Sequence, residues 1–350
     1  MTDEAIVINH ELLARQDADT SNAVISRFSS DPDFLSLSER EGSAILGRDE
    51  EDAEKLKKGI DFAKEKGVID VNFVPEQYIS IDVLGKTPEA VCDLIQDRVE
   101  QERNRNKMGC FSKLLGGGGK ANGGGAKEGG SVIVLCGLSG TGKGTTVSCL
   151  KRRLESDGSG RTVVTWSNGN IFRSVTLLAA TWCEQQDGIE GFDADKALTN
   201  ENLAKFISML SFGKFGPGGS YDTRIQGLGL DLLVSQVQNT DLKSPKVSKN
   251  IPTVAQVTQG EVILFAAGAV KQMGESGMVV LLEGREQTVD YVRTPLRFIL
   301  TLSDPSLIGK RRAAQRIMAS AVKDVTATAS ADLIGKALEG RMMEMAKEGN

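Results

Sequence analysis

Histidine is almost absent from this sequence. His10 is the only one in 350 residues, and it lies in a polar N-terminal segment. With one histidine in a polar terminal segment, a Ser/His/Asp triad, a Cys/His pair and a His-rich zinc site are not expected. Cysteine is sparse. Cys92, Cys110, Cys136, Cys149 and Cys183 lack metal-ligand spacing, and their odd number and scatter suit a reducing compartment. No stretch reads as the roughly 20 apolar residues of a membrane helix. Residues 1–20 are acidic and have no apolar core, so they resemble neither a secretory signal nor a transit peptide. A cytoplasmic protein without a membrane partner is expected. An excess of positive charge is lacking too: 42 Lys+Arg stand against 47 Asp+Glu, a net charge of -5, which speaks against a general nucleic-acid binder. Aromatics are 5% of the chain, and Trp166, Trp182 and the scattered Phe residues read as packing. The chemistry is left to carboxylates, lysines, arginines and backbone amides.

Glycine is the one excess, with 39 residues. Nine of them fall within Gly116 to Gly130. Such a stretch cannot bury apolar surface and reads as a linker, placed at 108–130. Residues 37–107 precede it and 131–350 follow. Residues 1–36 are polar and weakly patterned, and are expected to be mobile.

After the linker, Ser131-Val-Ile-Val-Leu-Cys-Gly137 is a continuous apolar run that predicts a buried parallel strand. A helix follows from Lys143, with Val147, Leu150 and Leu154 at helical spacing. Residues 161–169, 278–284 and 296–304 read as further strands, as do residues 78–84 before the linker. Thr87 and Pro88 read as the N-cap and first position of a helix whose buried stripe is Val91, Leu94, Ile95 and Val99. Alternating strands and helices predict an α/β fold, a parallel sheet with helices on both faces. Residues 317–350 read as a small-residue segment and then a helix through Leu333, Leu338 and Met342, with no strand.

Between the strand at 131–137 and its helix lies Gly137-Leu-Ser139-Gly140-Thr141-Gly142-Lys143-Gly144-Thr145-Thr146. Glycines let backbone N–H groups curl around phosphate oxygens, and the helix N-terminus adds partial positive charge. A lysine here bridges terminal phosphates, and a hydroxyl holds Mg²⁺. Gly144 directly follows the lysine, so the hydroxyl role falls to Thr145.

The Gly-x-x-Gly-x-Gly-Lys-Gly-Thr form resembles that of nucleoside monophosphate kinases. Glu283-Gly284-Arg285-Glu286-Gln287-Thr288, then the strand through Asp304 and the basic run Lys310-Arg311-Arg312 to Arg316, resemble the cytidylate kinases. In that family an acid-Gly-Arg-Asp-x-Gly-Thr turn is followed by a strand and an arginine-rich lid helix. Ser167-Asn168-Gly169-Asn170-Ile171-Phe172-Arg173 is similar to the segment that opens the family's monophosphate site. Leu242 to Ser248 is similar to its Ile-Arg-Thr-x-x-Val-Ser stretch.

The family's last helix, strand and helix are missing after Arg316 and have counterparts at the front. Arg48-Asp49-Glu50-Glu51-Asp52-Ala53-Glu54-Lys55 resembles its Arg-Asp-x-x-Asp-x-x-Arg helix, and Tyr78 to Val91 its final strand and helix. The resemblance implies a circularly permuted kinase domain, with the glycine linker joining the family's usual termini. Fifteen Gly-rich residues span about 20 Å on average, enough for neighbouring surface ends. Permutation requires Tyr78–Leu84 to pair in the sheet of the phosphate loop; otherwise residues 37–107 are a separate small domain.

The resemblance further implies a five-stranded P-loop kinase fold, a monophosphate-binding insert at about 185–277 and a lid at about 305–320. The implied reaction is phosphoryl transfer from ATP to a nucleoside monophosphate, CMP or dCMP, with Mg²⁺, by a monomer. Lys143 and the loop residues Gly137 and Ser139 to Thr146 would hold ATP. Thr145 would ligate the metal, and Glu283 would reach it through water. Arg173 and Arg285 would clamp the acceptor phosphate, joined by Arg48, and Asp52, Lys55 and Glu286 would be further substrate-binding residues. Arg311, Arg312 and Arg316 would close as the lid.

The base-reading positions depart from the family. Its serine falls on Pro252, beside Thr253, its arginine on Glu261, and the aspartate of its turn becomes Glu286. The turn is one glycine short, and Lys55 replaces a forked arginine. Cytosine specificity is therefore less firmly implied than phosphoryl transfer. A kinase for another acceptor and a nucleotide-binding protein without catalysis remain open. Met108-Gly109-Cys110-Phe111-Ser112-Lys113 has the form of a lipidation start, but it is internal.

Overall fold

The computed structural model describes residues 8–15, 18–115, 130–158, 160–216 and 218–348. The chain opens with three helices, α1 (His10–Arg15), α2 (Ala18–Phe28) and the 34-residue α3 (Pro32–Glu65), then β1 (Ile79–Asp82) and α4 (Pro88–Leu115). Next come β2 (Ser131–Gly137), α5 (Lys143–Ser156), β3 (Val163–Trp166) and α6 (Asn168–Glu184). The following stretch holds α7 (Ala194–Ala197), α8 (Asn200–Ser208), β4 (Leu210–Phe215), β5 (Ser220–Gly227), β6 (Leu230–Leu233), α9 (Val234–Val237), α10 (Pro245–Ser248) and α11 (Ile251–Glu275). The chain then forms β7 (Val279–Glu283), α12 (Glu286–Val289), β8 (Arg297–Thr301), α13 (Ser306–Ala321) and α14 (Ala331–Lys347).

The main sheet has the order β1-β8-β2-β7-β3, and every pairing in it is parallel. Apolar residues line both faces of β2, as a doubly covered strand requires. Ile133 and Leu135 pack with Val91, Cys92 and Ile95 of α4 and with Val147 and Leu150 of α5. Val134 and Cys136 point the other way, into a cluster with Val270 and Met273 of α11 and Val289 of α12. Helices thus cover both faces. β1, from before the glycine-rich stretch, joins this sheet at its edge, with Ile79 opposite Phe298 of β8.

The strand after which the loop turns is central. The chain leaves β2 toward β3 and later returns on the other side to β8. Such a switch of direction leaves a crevice at the carboxyl ends of the strands, where ligands bind in open α/β sheets.

Between β3 and β7 the chain builds a second layer. Antiparallel β4-β5-β6 and helices α6 and α8 surround a cluster including Phe172, Leu178, Phe206 and Ile225. Phe212 stacks on Tyr221 at 5.4 Å and 8°.

Several expectations need correction. Residues 1–36 are not a loose leader where they are described: Leu13, Val24 and Phe28 are buried against Ile317 and Met318 of α13 and Leu338 of α14. The boundary after residue 36 also falls inside α3. Asp31 caps that helix by accepting from Asp33 and Phe34 N–H, with Pro32 in its first turn. The linker starts later than 108, because α4 runs to Leu115. The Met108–Lys113 segment lies in its last turns. Residues 116–129, the rest of the linker, fall outside the described residues.

Thr87 does cap α4, accepting from Ala90 N–H at 3.2 Å. Its buried stripe differs, however. Leu94 is 45% exposed and Cys92 takes the inward place. Leu333 is likewise 55% exposed on α14, where Leu338 and Met342 carry the packing. α11 is long and apolar enough to cross a membrane by composition, which the sequence reading overlooked; half of that apolar window is buried inside the fold, against α3, α6 and the sheet. The described cysteines Cys92, Cys136, Cys149 and Cys183 are buried and free.

Candidate functional site

The loop from Gly137 to Lys143 sits at the carboxyl end of β2 and opens α5. Gly140 and Gly142 have φ of 80° and 86°, a backbone that side-chain-bearing residues rarely adopt. Gly142 is the N-cap of α5 and supplies no side chain to its first turn. The N–H groups there keep their capacity for an external acceptor. Nothing lies within 4 Å of the place a Cβ would take at Gly142. The donor set and the space both fit an anion.

Lys143 is half-buried and donates to the carbonyls of Gly137 and Leu138, each at 2.8 Å. Burial lowers its ammonium from the ordinary value, the Arg285 charge adds to that, and Asp49 and Glu283 oppose it. Thr141 is buried and donates to Leu138 O at 2.8 Å, which ties the loop to itself. Thr145 is exposed, whereas Thr146 is buried. Glu283, at the end of β7, places Oε2 3.9 Å from where a Cβ on Gly144 would stand. The carboxylate therefore borders the first turn of α5.

Arg285 follows β7 and reaches the loop from the side. Its Nη2 donates to Asp49 Oδ1 at 2.6 Å and to Ser139 Oγ at 3.3 Å, with Asp52 Oδ2 3.9 Å away. Asp49 is the residue that the sequence reading did not single out. It is only 3% exposed, and it also accepts from Ser139 N–H and Ser139 Oγ, both at 2.7 Å. Burial by itself would raise its carboxyl. The hydrogen bonds from Arg285 and Ser139 outweigh that and hold it well below the usual carboxylate range. A signal was present in the Arg48–Lys55 match, but one helix turn there offers Asp49, Glu50, Glu51 and Asp52.

Arg311 of α13 also touches the loop, donating to Gly140 O at 3.2 Å. Arg316 is engaged elsewhere, paired with Glu41 of α3. Arg312 and Arg48 are exposed and have no ion pair among the described residues. Lys55 is exposed and pairs with Glu51 at 3.6 Å. Arg173, in the second turn of α6, donates to Asn170 Oδ1 at 3.2 Å, and Asn170 donates to Gln238 at 3.2 Å. Glu286 starts α12.

Arg285 and Arg311 thus reach the loop directly, Asp52 lies beside it through Arg285, and Glu283 borders it. Among the described residues Arg173, Glu286, Arg48 and Lys55 make no hydrogen bond or ion pair with it. Of the expected base readers, Pro252 and Thr253 are exposed at the start of α11, and Glu261 forms a half-buried pair with Lys66 at 3.0 Å.

The parallel five-stranded sheet with helices on both faces matches a generic α/β nucleotide-binding topology. No family model matches the chain, and neither a curated protein nor a solved structure matches it.

Proposed function

We propose that this chain transfers the terminal phosphoryl group of ATP to a nucleoside monophosphate, with CMP and dCMP as the first acceptors to test. The observation that carries the reading is the convergence of Lys143, Arg285 and Arg311 on a glycine loop at the carboxyl edge of β2. These cations come from parts of the chain that resemble the cytidylate kinase motifs, in the same order. The place of β1 in the same sheet supports the circular permutation.

Phosphoryl transfer leaves little covalent work for a protein; positioning and neutralisation of phosphate charge do most of it. The first-turn amides of α5 and Lys143 would hold the β and γ phosphates. To do so Lys143 exchanges two neutral carbonyl partners for anionic ones, which make the stronger hydrogen bond. Mg²⁺ keeps much of its water and would be held by Thr145 and, through water, Glu283. When bound, the metal neutralises charge on the transferring group. Arg285 and Arg173 would grip the acceptor phosphate as planar forks, and Arg311 would cover the loop.

The acceptor base is the open part of the reading. Glu261 is engaged by Lys66, and Pro252 and Thr253 are exposed, which favours either another base or a nucleotide-binding role without transfer.

A coupled ADP-release assay with Mg-ATP against CMP, dCMP, UMP, AMP and GMP tests the proposal, with Lys143→Ala in parallel. Turnover that falls by about two orders of magnitude or more in the variant supports it. Turnover with UMP, AMP or GMP alone keeps the mechanism and moves the substrate. ATP binding without turnover on any acceptor leaves the nucleotide-binding role.

A further inference from the structure

We propose that Asp49 is a positioning residue that aims Arg285 at the acceptor phosphate and fixes that grip to the donor loop at Ser139. This rests on the phosphoryl-transfer reading and adds a role for a residue that reading leaves out.

The geometry is a closed triangle. One carboxylate accepts from Ser139 N–H, Ser139 Oγ and Arg285 Nη2 at 2.6–2.7 Å, and Arg285 Nη2 also donates to Ser139 Oγ at 3.3 Å. Each corner comes from a different part of the chain: α3, the loop after β2, and the turn after β7. Neither a slide of α3 nor a turn of the Arg285 side chain can occur without disturbing the loop.

Arg285 uses only one corner of its guanidinium for these contacts. Among the described residues Nη2 makes all of its hydrogen bonds, and Nε and Nη1 make none. The group is about a quarter exposed. A planar fork held by one terminal nitrogen presents its other edge, the arrangement suited to two parallel bonds to a phosphate. Asp49 is too deeply buried to meet a substrate, so its effect must pass through Arg285 and Ser139.

Charge gives a second reason. Arg285 and Lys143 are close enough for the arginine to lower the lysine's pKa, and Asp49 acts in the opposite direction on that lysine. The buried Asp49 carboxylate thus offsets part of what Arg285 does to the lysine. Its hydrogen bond to Arg285 makes it the group that orders which way the guanidinium faces.

The test uses the full chain and the acceptor giving fastest turnover in the panel above. Asp49→Asn keeps the shape and removes the charge. The expected result is a rise in acceptor KM and a fall in kcat, together on the order of tenfold to a hundredfold in kcat/KM. Affinity for a non-hydrolysable Mg-ATP analogue should change much less. Arg285→Lys should give a similar loss, and the double variant should be no worse than Arg285→Lys alone. Effects that add, or equal weakening of donor and acceptor with a lowered melting temperature, would reduce Asp49 to a structural brace and overturn the inference. Should Asp49→Asn fail to fold, Ser139→Ala removes one hydroxyl of the triangle. Its acceptor KM should rise in the wild-type background and not in Arg285→Lys; a rise of equal size in both sinks the idea. A wild-type chain that binds no ATP analogue overturns the kinase reading and this inference with it. Turnover with additive variants overturns this inference alone.

Discussion

Gly309 of α13 lies directly on the backbone of α3 beside Gly42. A Cβ added at Gly309 would stand 2.0 Å from the Ser38 carbonyl oxygen and 2.9 Å from Gly42 N. Contacts this short leave no room for even one methyl, so the two helices meet backbone to backbone. Gly309→Ala is expected to push α13 off α3 and destabilise the fold by about 1–3 kcal/mol or more. Gly47, on the same helix α3, has nothing within 4 Å of its Cβ position. Gly47→Ala should instead add up to about 1 kcal/mol through helix propensity. Urea titration of both variants checks the pair. Equal midpoints for Gly309→Ala and the parent would contradict the close crossing.

Removal of residues 1–29 should destabilise the protein. Leu13, Val24 and Phe28 are buried against α13 and α14, and each such burial contributes roughly 1.5–3 kcal/mol. The truncated chain is expected to unfold at clearly lower denaturant and to bind a hydrophobic dye through exposed Ile317 and Met318. A truncation that leaves the midpoint unchanged would restore the picture of a loose leader.

Arg297 is wholly buried in β8, an unusual place for an arginine. It donates to the carbonyls of Val289 and Val292 at 3.2 and 2.7 Å, pairs with Asp290 at 3.1 Å and also donates to the Tyr78 hydroxyl. Tyr78 in turn donates to Asp290 at 2.7 Å. Arg297→Leu takes the cation from Asp290, which keeps only the Tyr78 hydroxyl, and removes the Arg297 donor from the Val292 carbonyl. A loss of about 3–5 kcal/mol is expected by equilibrium unfolding, because breaking a buried pair leaves an uncompensated charge. A loss below about 1 kcal/mol would show that water or a neighbour takes over.

Acid should weaken the protein partly through Asp49. Its folded-state pKa lies below the unfolded one, so the folded state favours the charged form. The stabilisation is complete above roughly pH 4 and is lost as pH falls toward the folded value. Arg285 stays cationic throughout, and Asp52 and Lys143 are the other titratable groups at the triangle. The stability advantage of the parent over Asp49→Asn should therefore be constant from about pH 7 to pH 5 and shrink below about pH 4. An advantage independent of pH across that range would contradict the charge role.

Much of the main sheet was readable from the sequence because its strands are short apolar runs closed by turn residues. The runs at 131–137 and 278–284 contain β2 and β7 with little trimming. Thr87 and Pro88 likewise gave the start of α4. Helix phase was harder to read. In α4 both Cys92 and Leu94 are apolar, and only tertiary packing decides which one turns inward. The same ambiguity hid Asp49 among four acids in one turn of α3. The antiparallel strands β4 to β6 escaped because glycines at 213, 216, 218 and 219 masked their alternation. The burial of Arg297 was hidden because Tyr78, which shares Asp290 with it, comes from a distant part of the chain, although Val289, Asp290 and Val292 lie only five to eight residues before it.

The edge position of β1 bears on how the protein comes to be built. Ile79 finds its partner Phe298 roughly two hundred residues later, so on a ribosome adding about 5–20 residues per second β1 waits many seconds for its neighbour. Until β8 emerges, Ile79–Asp82 is an unpaired strand ahead of an apolar helix face. Contacts so distant along the chain are slow to form and leave sticky edges open meanwhile. The polar alternation Ser80 and Asp82 on that short strand, with Lys86 donating to the Asp82 carbonyl at 2.9 Å, then reads as protection against wrong pairing during synthesis.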